Sequence, residues 1–218
     1  MIDYVLNDQE VRVLGALLEK SMATPEYYPL TLNSLTNACN QKSNRVPVVA
    51  YDEATVVRAI NGLKSNQLVV QSDASRVPKY AECFVANAKL IDREVALLCL
   101  LLVRGPQTAG ELRGRSERLY AFADLAEVGE ALESLIEMKM AIKLPKQPGR
   151  KEARYLHLLA GEREVPMPET MVANPEAATL QVRAENERMA LLEGEFEALK
   201  EELSNLRQQF QEFKSQFD

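Results

Sequence analysis

The chain has 218 residues, 46% of them hydrophobic, and carries 26 basic and 32 acidic side chains for a formal net charge of −6. That length and apolar fraction allow two small cores of about 75 to 80 residues each plus a separate tail. The longest apolar run, residues 95–103, is nine residues against the roughly 20 that span a bilayer, and the N-terminus lacks the basic and apolar regions of a signal peptide, so no membrane role and a cytoplasmic location are expected.

In chain order, Asn7 followed three residues later by Glu10 makes a capping-box arrangement, with Leu6 and Val11 placed to staple it. The stripe Val11, Leu14, Leu17 and Leu18 predicts an opening helix behind that cap. Thr24-Pro25-Glu26-Tyr27-Tyr28-Pro29 is too aromatic for a plain linker; packing of Tyr27 and Tyr28 over the first module is expected, with ligand binding the alternative. A short helix near residues 32–39 precedes a polar, proline-containing stretch around Gln41, Lys42, Asn44 and Arg45, which predicts a surface loop. A third stripe, Val56, Ile60, Leu63 and Leu68, leads into a β-prone run over residues 68–71, a turn-rich segment, and a second run over residues 80–85.

The order then repeats. Asp8-Gln9-Glu10-Val11 and Asp92-Arg93-Glu94-Val95 are 84 positions apart, and Val95, Leu98, Leu101 and Leu102 reproduce the opening stripe. Ile91 replaces the capping residue, so this helix is expected to fray more at its first turn. A second short helix near residues 109–115, a third stripe of Val128, Leu132, Leu135 and Met140, and β-prone runs at residues 141–144 and 154–159 complete the copy. The third helices align 72 apart, which gives the first copy 12 extra residues, expected in the region 41–52. The fold class expected is mainly α with small β-hairpins (α+β): helix, helix, helix, hairpin, twice, which is a winged-helix order. The domains follow as residues 1–88, 89–160, a linker at 161–175 and a coiled-coil helix at 176–218.

Leu17-Leu18-Glu19-Lys20, Thr24 to Leu30, Ala38-Cys39-Asn40-Gln41-Lys42-Ser43-Asn44-Arg45, Glu111-Leu112-Arg113, Pro148-Gly149-Arg150-Lys151-Glu152, Arg154-Tyr155 and His157-Leu158 together resemble the YceH-like family of uncharacterised bacterial proteins, over roughly residues 5 to 160. The resemblance implies tandem winged-helix architecture and carries no activity, substrate or catalytic residue. Ile91 departs from the small hydroxyl residue usual there, a matter of stability only.

Chemistry-bearing residues are sparse. Cys39, Cys83 and Cys99 are odd in number and widely spaced, which argues against a disulfide framework or a zinc site; Cys83 and Cys99 are expected in the core and Cys39 nearer the surface. The single histidine, His157, is expected on the polar face of the last strand, where alternation sets it opposite Leu156 and Leu158. No phosphate-cradling glycine loop and no nucleophile elbow occurs, so the chain is read as a non-enzyme with no cofactor and no metal.

After a linker containing Pro166 and Pro168, Asn174-Pro175-Glu176 signals a new helix start. Its heptad carries Val182, Met189, Phe196, Leu203, Phe210 and Phe217 at a, and Leu192, Leu199, Leu206 and Phe213 at d, with Glu185 the one break. The g-to-e pairs Arg188 with Glu193, Glu195 with Lys200, Glu202 with Arg207 and Gln209 with Lys214 suit a parallel partner, which predicts a homodimer, with a trimer as alternative. Folding of the helix back onto its own domains is the competing arrangement.

Charge divides along the chain. Residues 161–218 hold 13 acidic and 6 basic side chains, leaving residues 1–160 with 19 acidic and 20 basic. The first copy's third helix exposes Thr55, Arg58, Asn61, Lys64 and Ser65 once its stripe is buried, side chains able to meet base edges, with Arg76 and Lys79 in the following wing. In the second copy Arg113, Arg115 and Arg118 form one basic cluster and Lys146, Arg150, Lys151 and Arg154 another. Its third helix shows Glu127, Glu130, Glu133 and Glu137, which would repel phosphates. Two functions follow: double-stranded DNA binding by a coiled-coil homo-oligomer, or a protein-interaction scaffold with those glutamates as the partner site.

Overall fold

A computed structural model describes residues 4–73, 76–146 and 152–161, all within one compact unit, Met1–Arg163. The linker beyond Gly161, the expected heptad helix and the wing residues Arg150 and Lys151 lie outside the described residues. The described chain is α+β: α1 (Asp8–Ala23), a 3-10 turn (Pro25–Tyr27), β1 (Leu30–Thr31), α2 (Leu32–Cys39), α3 (Glu53–Ser65), β2 (Val69–Ser72), β3 (Lys79–Glu82) and α4 (Phe84–Ala88). It continues with α5 (Asp92–Arg104), α6 (Ala109–Ser116), α7 (Leu125–Glu137), β4 (Ala141–Lys143) and β5 (Tyr155–His157). The strands form two small antiparallel sheets, ordered β1-β3-β2 and β4-β5. No helix among the described residues is long and apolar enough to cross a membrane.

The predicted cap of α1 is present in full: Asn7 Oδ1 accepts from the Glu10 amide and Glu10 returns a carboxylate oxygen to the Asn7 amide, both at 2.9 Å. Leu6 and Val11 are buried over it. At α5, Ile91 offers no acceptor, yet the Glu94 carboxylate still takes the Ile91 amide at 3.1 Å, half of the box. The same glutamate then packs on the third helix of its own copy in two ways. Glu94 accepts from Ser134 Oγ at 2.6 Å, whereas at the matching place a Cβ on Gly62 would stand 1.9 Å from Glu10 Oε1.

The two expected cores prove to be one cluster, running from Leu6 to Ala160. Its centre is α1 packed against α5, each buried on every side over residues 10–18 and 94–103. A helix buried all round must be covered all round, and here each opening helix supplies part of the other's cover. The two helices touch at the equivalent pair Gly15 and Cys99, where Cys99 Sγ donates to the Gly15 carbonyl oxygen at 3.6 Å. Contact between matching positions of two copies is what a two-fold arrangement produces.

The caps also relocate the extra residues. Thr31 caps α2 and Thr108 caps α6, 77 positions apart, so seven of the 12 extra residues precede the second helix and only five follow it. Just before those caps, Leu30 pairs with Tyr80 in β3 and Gln107 pairs with Tyr155 in β5, so a third strand missing from the sequence reading recurs as a single bridge.

Four further expectations change. The run over residues 80–85 stops being a strand at Glu82, whose carboxylate accepts the Val85 amide at 2.9 Å and starts α4 instead, a local bond that competes with the ladder. Tyr28 packs as expected, its hydroxyl accepting from the Glu82 amide at 2.5 Å, but Tyr27 is 74% exposed. Cys39 is fully buried, which pushes its thiol up to about 12, while Cys83 is only partly covered. His157 is buried rather than on a polar face, because the hairpin register pairs it with the buried Ala141 and sets Ile142 outward with Leu156.

Candidate nucleic-acid interface

Helix α3 starts at an Asp52 cap, whose carboxylate accepts the Thr55 amide at 2.8 Å. The Thr55 hydroxyl and amide, with Arg58 beyond them, hold that carboxyl below the usual carboxylate range. Val56, Ala59, Ile60 and Leu63 are buried, and the opposite side exposes Arg58, Asn61, Lys64 and Ser65. Arg58 Nη2 donates to Thr55 Oγ1 at 2.9 Å, which leans the guanidinium toward the start of the helix. Lys64 Nζ donates to Gln71 Oε1 at 2.9 Å, so the helix face continues into β2 without a break. Arg76 in the same hairpin is exposed and Lys79 half-buried.

The loop before α3 is a clasp rather than an arm. Asn40 and Tyr51 close its ends through two bonds, Nδ2 to the Tyr51 carbonyl at 2.7 Å and the Tyr51 amide to Oδ1 at 2.8 Å. Arg45, expected at the interface, is 3% exposed and unavailable to a phosphate. Its guanidinium donates to both oxygens of Glu19, at 3.0 and 2.5 Å, and to the Ala38 carbonyl at 3.1 and 2.9 Å. Arg12 adds a bond to the Pro47 carbonyl at 2.6 Å, and burial with Arg45 nearby lowers its pKa. The Val46 amide donates to the Val103 carbonyl at 2.9 Å and Asn44 accepts from Arg104, which ties the loop to α5. Lys42 is exposed and Gln41 half-buried.

Three of the five described basic residues of those two clusters in the second copy, Arg113, Arg115 and Arg154, are engaged within the fold. Arg115 and Arg154 converge on Glu111, at 3.7 and 3.5 Å, while Glu111 also completes the cap of α6. Arg115 further donates to Gln107 Oε1 and Arg154 to the Pro106 carbonyl, both at 2.7 Å. Arg113 donates to the Ala123 carbonyl at 2.7 Å, and Arg118 and Lys146 are exposed. On α7, Glu130, Glu133 and Glu137 face solvent. Glu127 instead bonds to the turn before the helix, taking the Tyr120 hydroxyl at 2.7 Å and the Ala123 amide at 2.9 Å, which lowers its pKa. By the offset of 72, Glu130 stands where Arg58 stands in the first copy and Glu133 where Asn61 stands.

Beside the α3 face the sequence reading missed a cleft of about 290 Å³, lined by Asn7, Gln9, Thr55, Arg58 and Ala59. Asn7 and Gln9 belong by sequence to the start of α1, and nothing local in the sequence announces that this turn lies against α3.

The family description "Protein of unknown function, DUF480" matches residues 6–150. The chain belongs to this family. A UPF0502 protein of Geobacter sulfurreducens is 54% identical over 220 residues, covering 100% of both chains. UPF0502 proteins of Geotalea uraniireducens and Solibacter usitatus are 54% and 45% identical, covering 98% and 100% of this chain and of their own lengths. The DUF480 match covers residues 6–150, which stops before β5, and the UPF0502 relatives are similar along the C-terminal segment as well.

Proposed function

We propose that this chain is a non-enzymatic, cytoplasmic DNA-binding protein that reads duplex DNA with α3. Residues 1–88 and 89–160 are its two winged-helix units, and residues 176–218 form a coiled coil that joins copies of the chain. The reading rests above all on α3, which buries Val56, Ala59, Ile60 and Leu63 and turns Arg58, Asn61, Lys64 and Ser65 outward beside a hairpin bearing Arg76. An amide flanked by cations is suited to both tasks of such an interface, since asparagine pairs with adenine edges and cations hold phosphates. The interface is narrower than the full set of basic residues, because Arg45, Arg115 and Arg154 are spent on Glu19 and Glu111.

Fluorescence anisotropy of the full chain on a set of short duplexes tests this. Lys64→Gln is expected to weaken every duplex alike and to lower the slope of log K against log salt by about 0.9, as loss of one phosphate contact does. Asn61→Ala is expected to flatten the preference among duplexes by about 1–3 kcal/mol. Binding unchanged by both substitutions removes α3 from the interface. The exposed Glu130, Glu133 and Glu137 on α7 favour a second reading, a scaffold whose partner is a basic protein surface. In that case their exchange for lysine abolishes partner capture.

A further inference from the structure

We infer that the cleft between the first turn of α1 and the middle of α3 seats one backbone phosphodiester of the duplex that α3 contacts, an assignment that rests on the DNA-binding reading. Among the described residues the cleft is walled by four hydrogen-bonding side chains, Asn7, Gln9, Thr55 and Arg58, over Ala59, and none of these is a carboxylate. Asn7 spends its carbonyl oxygen on the Glu10 amide, which leaves its side-chain nitrogen to donate elsewhere. Gln9 is exposed and brings a second amide.

Arg58, the one cation among the described lining residues, sets the ligand's charge. Arg58 is held by Thr55 Oγ1 at 2.9 Å, and Thr55 is bonded in turn to Asp52, whose carboxylate lies within electrostatic reach of the guanidinium. Part of the arginine's charge is thereby balanced already. The remainder matches the one negative charge of a phosphodiester better than the two of a phosphate monoester. Position along α3 agrees: Asn61 follows Arg58 by three residues and Lys64 by six, roughly 4.5 and 9 Å along the axis. Arg58 and Lys64 would then grip the backbone at the two ends of the face while Asn61 meets bases between them. This makes Arg58 a phosphate-holding residue rather than a base reader.

Gln9→Glu is the decisive variant. It places a negative charge in the cleft, yet a glutamate in the first turn of a helix is well tolerated, so the fold is kept. In salt-titrated anisotropy with the full-length chain, Gln9→Glu is expected to weaken binding about tenfold on all duplexes alike, with the melting temperature at or above the parent's. Arg58→Gln is expected to weaken all duplexes alike and reduce the salt slope by about 0.9. Normal DNA binding by Gln9→Glu, or a changed sequence preference without a changed slope in Arg58→Gln, overturns the assignment while leaving the DNA-binding reading intact. A parent that binds no duplex defeats both. A saturable melting rise with inorganic phosphate that Gln9→Glu abolishes, in a protein that ignores DNA, assigns the cleft to free phosphate and overturns the duplex as its source.

Discussion

Glu19→Ala is expected to lower the free energy of unfolding by about 3–5 kcal/mol, the loss typical when one partner of a buried ion pair is removed. The Arg45 side chain is 0% exposed and Glu19 is its only carboxylate partner among the described residues. Without Glu19 the guanidinium keeps the carbonyls of Ala38 and Asn44 but no compensating charge. The damage also spreads, because the loop that carries Arg45 bonds α5 through Val46 and ends at Tyr51, just before α3 begins. Urea unfolding measures the effect. A loss below about 1 kcal/mol, the range of exposed pairs, contradicts the buried geometry. The double variant Glu19→Leu with Arg45→Met is expected to lose less than Glu19→Ala alone, since it removes the stranded charge as well.

Gly15→Val is expected to cost about 3 kcal/mol or to prevent folding. A Cβ at Gly15 would stand 2.8 Å from Val103 Cγ1 and 3.0 Å from Leu102 Cβ, so the two central helices would have to separate. Overpacking of a closed core commonly costs about 1–3 kcal/mol, and valine adds two methyl groups beyond that clash. Gly129→Ala in α7 is the matched control, with nothing within 4 Å of the added carbon. There the gain in helix propensity is expected to raise stability by about 1 kcal/mol. A Gly15→Val protein as stable as the parent, measured by the same unfolding assay, would mean that close packing against Val103 and Leu102 does not govern Gly15.

The contrast between those glycines also marks how far the sequence could be read. Local rules located the three main helices and the hairpin of each copy: the Asn7 to Glu10 box, the stripes of α3 and α7, and the β-prone runs are all short-range signals. The shared core was legible in part. The run over residues 95–103 has no polar residue, which already demands cover on every side, but the identity of the cover is a long-range fact. Arg45 illustrates the same limit at the candidate site, since a basic residue in a polar loop looks exposed until Glu19, 26 positions away, is brought beneath it. The insertion was misplaced because hydrophobic offsets fix only the ends of an interval, whereas the cap threonines divide it. His157 was misassigned because a three-residue strand takes its inner face from its partner's register rather than from the polarity of its own residues.

The central claim, that this chain reads duplex DNA with α3, is tested most directly by anisotropy of the purified full-length protein on fragmented genomic DNA, titrated from low to physiological salt in the presence of non-specific competitor. The account predicts a subset of fragments retained at physiological salt and lost on Asn61→Ala with Lys64→Gln. Binding that disappears below physiological salt for every fragment, or that survives the double substitution unchanged, contradicts it.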